Sequence, residues 1–315
     1  MSTSLKLDGL LAKVESTYGT DSVPTPAENG VRMSERLWGS LTVSHQYENT
    51  RENAMSGTLV PRRKGPSVGE TAAIEVPVEA LGAHSAYSGS NLPEADPLFM
   101  ACGVSRTVDT TTDSESVTYT PIDTGHGSAT LYAYAGGQLF RITGCRGTFR
   151  VSMQPGQLGA IVFSLEGKVA EITTTALPAI TYQSNDGAIV QGAGFTLNGW
   201  APRIMEGEFD IGNTLAWVSD ANAADGLQEY RIQMRDPSQT VTVEAVALST
   251  FDPYALTRNA GTIALALAIG SAQYNRVRIT DSACFLRSAP SNEDYEDVAG
   301  WGLALGSESP VVVFD

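Results

Sequence analysis

The chain has 315 residues and a mass of 33.3 kDa, enough for one large domain or two modest ones, each with a core of its own. Its formal net charge of −15 repels nucleic-acid phosphate and anionic lipid, which excludes non-specific DNA binding, and it keeps a concentrated protein in solution until a shaped partner docks. An apolar share of 42%, with 31 glycines and 15 prolines, suits many strands joined by tight turns.

Residues 1–12 lack the basic flank and apolar core of a signal peptide, and no window approaches a membrane span, so synthesis and retention in a cytoplasm are expected. Residues 1–36 are expected to form an arm running extended along a surface, because 16–26 is dense in turn formers and shows no apolar period. From Leu37 the pattern becomes strand-like. Leu41, Val43, His45 and Tyr47 alternate with Thr42, Ser44, Gln46 and Glu48, giving one core face and one wet face. A turn at 49–53 should lead to a strand near 55–61, and 72–81 forms a third.

Asp96 then occupies an expected helix N-cap, with Pro97 at the first helical position, where its missing N–H costs nothing. Leu98, Phe99 and Cys102 share a face, and Gly103 stops the helix. Residues 104–137, rich in Thr, Ser, Asp and Gly, are expected to be a long insertion with one strand at 117–119. Strands at 138–143, 148–153 and 160–171 complete a first unit, 37–172. A linker at 173–194 precedes a second unit, 195–315.

The second unit opens on a clear alternation. Glu206, Glu208 and Asp210 point one way and Met205, Phe209 and Ile211 the other, which predicts a row of carboxylates on one sheet face. Its expected partner is 227–235, with Tyr230, Ile232 and Met234 on the apolar side and Glu229, Arg231 and Gln233 on the polar one. A loop at 213–225 carrying Trp217 should join them. Further strands are predicted at 239–248, 262–269, 276–286 and 298–305. A second short helix is capped by Asp252 and begins with Pro253.

The two units share an ordered set of matches. Val76-Pro77-Val78-Glu79-Ala80, Asp96-Pro97 and Arg141-Ile142-Thr143, then a run ending Phe163-Ser164-Leu165, correspond to Val241-Thr242-Val243-Glu244-Ala245, Asp252-Pro253 and Arg278-Ile279-Thr280, then a run ending Trp301-Gly302-Leu303. The order is preserved while the spacing between copies shrinks, as loops of different length would produce. The fold expected is mainly β: two tandem β-sandwich or barrel units, each with one short flanking α-helix.

No constellation carries catalysis. Lys64 to Thr71 has the glycine spacing of a poor phosphate loop, but Glu70 stands where a lysine must meet phosphate, so a basic hairpin tip with Arg62 and Arg63 is the better reading. Asp220, Asn222, Asp225 and Gly226 start like a calcium loop that fails at Ala224 and lacks a closing acid. His45, His84 and His126 are isolated, the acidic run 293–297 suits a solvated hairpin loop, and Cys102, Cys145 and Cys284, widely spaced and odd in number, suit buried free thiols. Glu206 and Glu208 could serve as a glycosidase acid and base only beside an apolar cleft that raises one pKa; a charged wall fits them better. No cofactor or metal is expected.

Three stretches, Ala12-Lys13-Val14-Glu15-Ser16-Thr17-Tyr18-Gly19-Thr20-Asp21 with Pro24, Ala95-Asp96-Pro97-Leu98-Phe99-Met100-Ala101-Cys102-Gly103, and the strand and turn from Tyr230 to Pro237, give the chain its resemblance to the major tail tube proteins of long, non-contractile-tailed bacteriophages. The resemblance implies tail-tube-type units that assemble into rings, with inner sheets joined in one barrel and rings stacked on a tape-measure protein. It further implies a place in the virion tail after assembly in the host cytoplasm, tail terminator and distal tail proteins as partners, and DNA in transit without specific binding. That family usually carries one unit per chain in rings of six, so two units here imply a trimeric, pseudo-hexameric ring; six chains are expected if the second half is an appended domain. Glu206, Glu208, Asp210 and Glu229 are then lumen candidates, and Tyr18, Arg51 and Trp217 contact candidates between rings or subunits. A head or tail accessory protein, or a carbohydrate-binding or hydrolytic sandwich, are the alternatives.

Overall fold

The computed structural model describes residues 8–45, 50–51, 63–64, 69–184, 186–191, 194–223, 226–295 and 297–315. The expected turn at 49–53, the strand near 55–61, Arg62, half of the loop 64–71, Ala224, Asp225 and Glu296 lie wholly or partly outside them.

The fold is mainly β, with two short helices among the described residues. The first half comprises β1 (Gly9–Val14), β2 (Gly30–Val31), β3 (Leu41–His45), β4 (Thr50–Arg51), β5 (Arg63–Lys64), β6 (Glu70–Glu79), α1 (Asp96–Ala101), β7 (Val104–Asp109), β8 (Ser116–Pro121), β9 (Ala129–Ala135), β10 (Gln138–Met153) and β11 (Ala160–Thr174). The second comprises β12 (Thr196–Leu197), β13 (Ile204–Asp210), β14 (Asn213–Ser219), β15 (Leu227–Arg235), β16 (Ser238–Glu244), α2 (Pro253–Arg258), β17 (Thr262–Ile269), β18 (Val277–Leu286), β19 (Ser291–Tyr295), β20 (Val298–Gly306) and β21 (Val311–Phe314).

All ladders are antiparallel, and one pairing order occurs twice. The first half runs β1-β9-β10-β11-β6-β3; the second runs β12-β17-β18-β20-β16-β13. In each, a hairpin (β4 with β5, β14 with β15) lies between the edge strand and its partner in sequence, and the helix follows that partner. Two ladders join the halves: the end of β10 pairs with β13, and β8 pairs with β21. One core draws on both halves, from Leu10 and Val31 to Leu305 and Phe314.

Several elements differ from the sequence reading. Gly9–Val14, expected within a surface arm, is an interior strand whose Leu10, Leu11 and Ala12 are fully buried. Residues 104–137 are not a loose insertion: they hold β7, β8 and β9, and every residue of β9 is buried. The cause is that both faces of β1 and β9 are covered. Leu10 and Leu131 enter the main core, while Leu11, Tyr132 and Tyr134 form a second cluster roofed by Leu177 and Ile180 of the expected linker. A strand buried on both sides has no alternation to read.

The helix starts also differ from each other. At α2, Asp252 is the N-cap and its carboxylate accepts the Ala255 N–H at 2.9 Å. At α1 the N-cap is Ala95, and Asp96 is the first helical residue, with no capping bond. Its buried carboxylate instead accepts the Tyr119 hydroxyl at 2.8 Å and Arg106 at 2.6 Å. Burial pushes the Asp96 carboxyl up, against the opposing pull of Arg106 and Tyr119. A carboxyl raised in the fold binds more protons folded than unfolded, so its contribution to stability falls as pH rises from the ordinary aspartate range through the folded value, then levels off. Asp96→Asn cannot titrate. Urea midpoints followed upward in pH from the ordinary aspartate range should therefore move in the variant's favour relative to wild type; the opposite trend would mean that Arg106 dominates the site.

Candidate lumen face and sheet edges

The carboxylate row lies where β13 was expected to put it. Glu206 and Glu208 are exposed and Asp210 half-buried, while Met205 and Phe209 are buried in between. The ladder sets polar residues beside them: Ser152 opposite Glu208 on one edge, and Thr242, Thr240 and Ser238 on the other. The acids are lightly held. Thr242 Oγ1 lies 3.4 Å from Glu206, and Asp210 accepts the Gly212 N–H at 2.7 Å.

The same face continues across the sheet formed by β3, β6, β11, β10, β13, β16 and β20. On β6 the core-facing Ile74, Val76 and Val78 alternate with outward Glu75, Pro77 and Glu79, and Glu244 extends the outward set on β16. Arg150 of β10 lies on this face and pairs with Glu75 at 3.0 Å. Both groups are about half exposed, so the pair adds little stability. The outcome is a broad, predominantly acidic wall with serine, threonine and glycine between the acids.

Glu229 is elsewhere. β15 pairs with β14 rather than with β13, as was expected of it. The reason is a reversal at Gly212, whose φ of +65° is open to glycine at no steric cost. The span 213–219 is therefore a strand, not a loop, and Met234, expected on an apolar face, is 60% exposed. Glu229 sits between two guanidinium groups, 3.2 Å from Arg146 and also paired with Arg231.

Arg146, which no sequence pattern singled out, anchors this hairpin. It donates to the carbonyls of Gly127, His126 and Tyr230, the last at 2.6 Å, and its guanidinium lies 4.6 Å from the centre of the Tyr18 ring. The Tyr18 hydroxyl accepts the Tyr230 N–H at 2.8 Å. Asn213 and Arg235 hold the hairpin base through the carbonyls of Cys102, Gly147 and Gly103. The Tyr18 ring and hydroxyl thus engage Arg146 and the β15 backbone of the same chain. Trp217 packs edge-on against Tyr230, 4.5 Å between ring centres, and Arg51 lies on β4 opposite Arg63.

The edges complete the surface. β3 pairs only with β6, and β19 only with β20, among the described residues. β19 is exposed along its whole length. All three cysteines are free and buried, and burial pushes their thiols up. Among the described residues no group of three His, Cys, Asp or Glu side chains gathers as a metal site needs, and no helix is long and apolar enough to cross a membrane.

No curated protein matches the chain. A family model described as "Phage tail tube protein" matches residues 8–299, almost the whole sequence, including β13 with its carboxylate row, and the chain belongs to that family of structural virion proteins.

Proposed function

We propose that this tube protein carries one β unit twice, and that three chains close a pseudo-sixfold ring that stacks into the tail of a long, non-contractile-tailed phage. The observation that carries the proposal is the repeated pairing order, β1-β9-β10-β11-β6-β3 and β12-β17-β18-β20-β16-β13. Ring closure depends on the number of edge-bearing units, so two units per chain halve the number of chains. Units 37–172, with β1 joined to its sheet, and 195–315 share one core and two ladders, and so act as one rigid stave pair.

The wall bearing Glu206, Glu208 and Asp210 faces the bore. DNA in transit must slide without adhering, and carboxylates repel phosphate within a Debye length of about 8 Å at physiological salt. The tape-measure protein occupies the bore during assembly, and terminator and distal tail proteins close the two ends. Trp217 and Arg51, on the two equivalent hairpins, serve contacts between rings or subunits. Glu229, paired with Arg146, contributes to the hairpin rather than to the bore.

The test is charge reversal. Glu206→Lys with Glu208→Lys should leave tube assembly intact in electron micrographs, while the tubes now retain short duplex DNA in a salt-dependent manner. Wild-type tubes that retain DNA equally well would overturn the bore assignment. Rotational averaging of end-on tubes should show three identical chains in six lobes.

A further inference from the structure

The junction between the two halves of one chain is a template for the junction between neighbouring chains. We infer that β19 of one chain pairs, antiparallel, with the free edge of β3 in the next chain of the ring. The inference rests on the ring reading above and gives it a partner edge and a register.

The argument follows rows of directly opposed residues across the sheet. In the first half, Leu41, Ile74, Leu165 and Gly147 lie in one row. In the second, Phe209, Gln239, Leu305 and Leu286 do so. Leu41 is therefore the counterpart of Phe209, and by the same ladders Thr42 is the counterpart of Asp210. On the far edge, Val78, Ile161 and Val151 form a row, matched by Val243, Trp301 and Asn292. Asn292 stands where Val151 stands, and Ser291 where Arg150 stands.

Within the chain that far edge is occupied. Val151 pairs with Phe209 and Arg150 with Asp210. In the second half the corresponding edge, β19, has no partner among the described residues, and neither has the outer edge of β3. Carrying the internal pairing over gives Asn292 opposite Leu41 and Ser291 opposite Thr42 of the next copy. The strand directions agree. Every ladder from β3 through β6, β11, β10, β13, β16 and β20 to β19 is antiparallel, so β19 meets the next β3 in the opposite sense, as β10 meets β13.

Charge selects the same partner. Two β19 edges paired with each other would set Glu293 and Asp294 against acids, which is unfavourable for directly opposed residues. Leu41 to Ser44 carry no charge. The acidic β19 edge therefore disfavours dimers of two β19 strands while leaving the head-to-tail pairing with the neutral β3 edge open.

The experiment is a register-specific cross-link in the full chain. Thr42 and Ser291 are both exposed, so Thr42→Cys with Ser291→Cys should not disturb folding, and the native thiols are buried. Opposed residues in an antiparallel ladder lie about 4.5–5.5 Å apart between Cα atoms, within disulfide range. The control is Ser44→Cys with Ser291→Cys, a diagonal pair about 7–8 Å apart and outside that range. Oxidised assemblies of the first variant should give a ladder on a non-reducing gel that ends at the number of chains in the ring, with at least tenfold less product from the control. Normal tubes with no cross-link, or equal cross-linking in both variants, would overturn this pairing and leave the tube reading standing. A chain that stays monomeric at every concentration, with neither rings nor link, would overturn the tube reading itself and the pairing with it.

Discussion

Phe99→Ala should lower stability by about 3–5 kcal/mol, the range for emptying a large aromatic site in a packed core. Phe99 is fully buried on the face that α1 turns inward. Its ring stacks on Tyr119 at 4.6 Å and meets Phe149, Phe163 and Phe314 edge-on at 5.0, 4.9 and 5.6 Å. Such pairs add about 0.5–1.5 kcal/mol each beyond the area they bury, and four neighbours cannot all collapse into the void. The position also has an architectural meaning. Tyr119 belongs to β8 and Phe314 to β21, the two strands whose pairing ties the halves together. The urea midpoint should fall markedly, and amide exchange should quicken first along the β8 and β21 ladder. A loss under about 1 kcal/mol, the level of an ordinary surface change, would contradict this account of the joint.

Glu15→Ala is expected to cost a similar amount, about 3–5 kcal/mol, for a different reason. The Glu15 carboxylate is buried and accepts four donors: Ser128 Oγ at 2.6 Å, Thr130 Oγ1 at 2.9 Å, and the N–H groups of Gly19 and Gly144 at 2.7 and 2.8 Å. Removing it strands the buried Ser128, Thr130 and Gly144 donors, and each buried unsatisfied group costs about 1–3 kcal/mol. Glu15→Gln should recover part of the loss, since it keeps one acceptor oxygen but turns an amide N–H₂ towards donors. Gly144, at φ +64°, lies beneath the Tyr18 ring, where a Cβ would approach within 2.8 Å, so the network also seats Tyr18 against Arg146 and the β15 backbone. The expected signature is faster exchange at Gly19, Gly144 and Tyr230 together. Unchanged exchange at Tyr230 would separate the carboxylate from the hairpin it is argued to hold.

These two residues mark where reading the chain in one dimension stops. Phe99 was visible as part of a helix face because Asp-Pro at the start and glycine at the end are local signals, decided by backbone φ and a missing N–H. The Asp252 cap was legible for the same reason. Asp96 was not, because its carboxylate answers to Tyr119 and Arg106 instead of to its own helix. Glu15 was quoted within a family-like stretch, yet its role depends on Ser128, Thr130 and Gly144, more than a hundred residues away.

The sheet divides along the same line. The period-2 pattern of β13 was readable because only one of its faces is buried, and it set the carboxylates apart without any knowledge of neighbours. Nothing in that pattern names a partner, so β15 was matched to β13 when Gly212 reverses the chain and gives it β14. The repeats show this most clearly. Ordered matches such as Val76 to Ala80 with Val241 to Ala245 were evident in the sequence, but the ladders set Phe163 beside Val76 and Leu303 beside Val241. Under the proposed duplication the counterpart of Phe163 is Leu303, two residues beyond the Trp301 that similarity alone suggested.

By itself, the sequence determined the mainly β character, the two short helices, the acid-bearing face and the family, because each depends on periodicity, capping or ordered motifs within a few residues. Only the tertiary structure decided that β1 and β9 are interior strands, that the halves share one core, which strand edges stay open, and which carboxylates are paired. Those outcomes depend on contacts between distant segments, where burial on both faces erases alternation and a single left-handed glycine changes which strand is the neighbour.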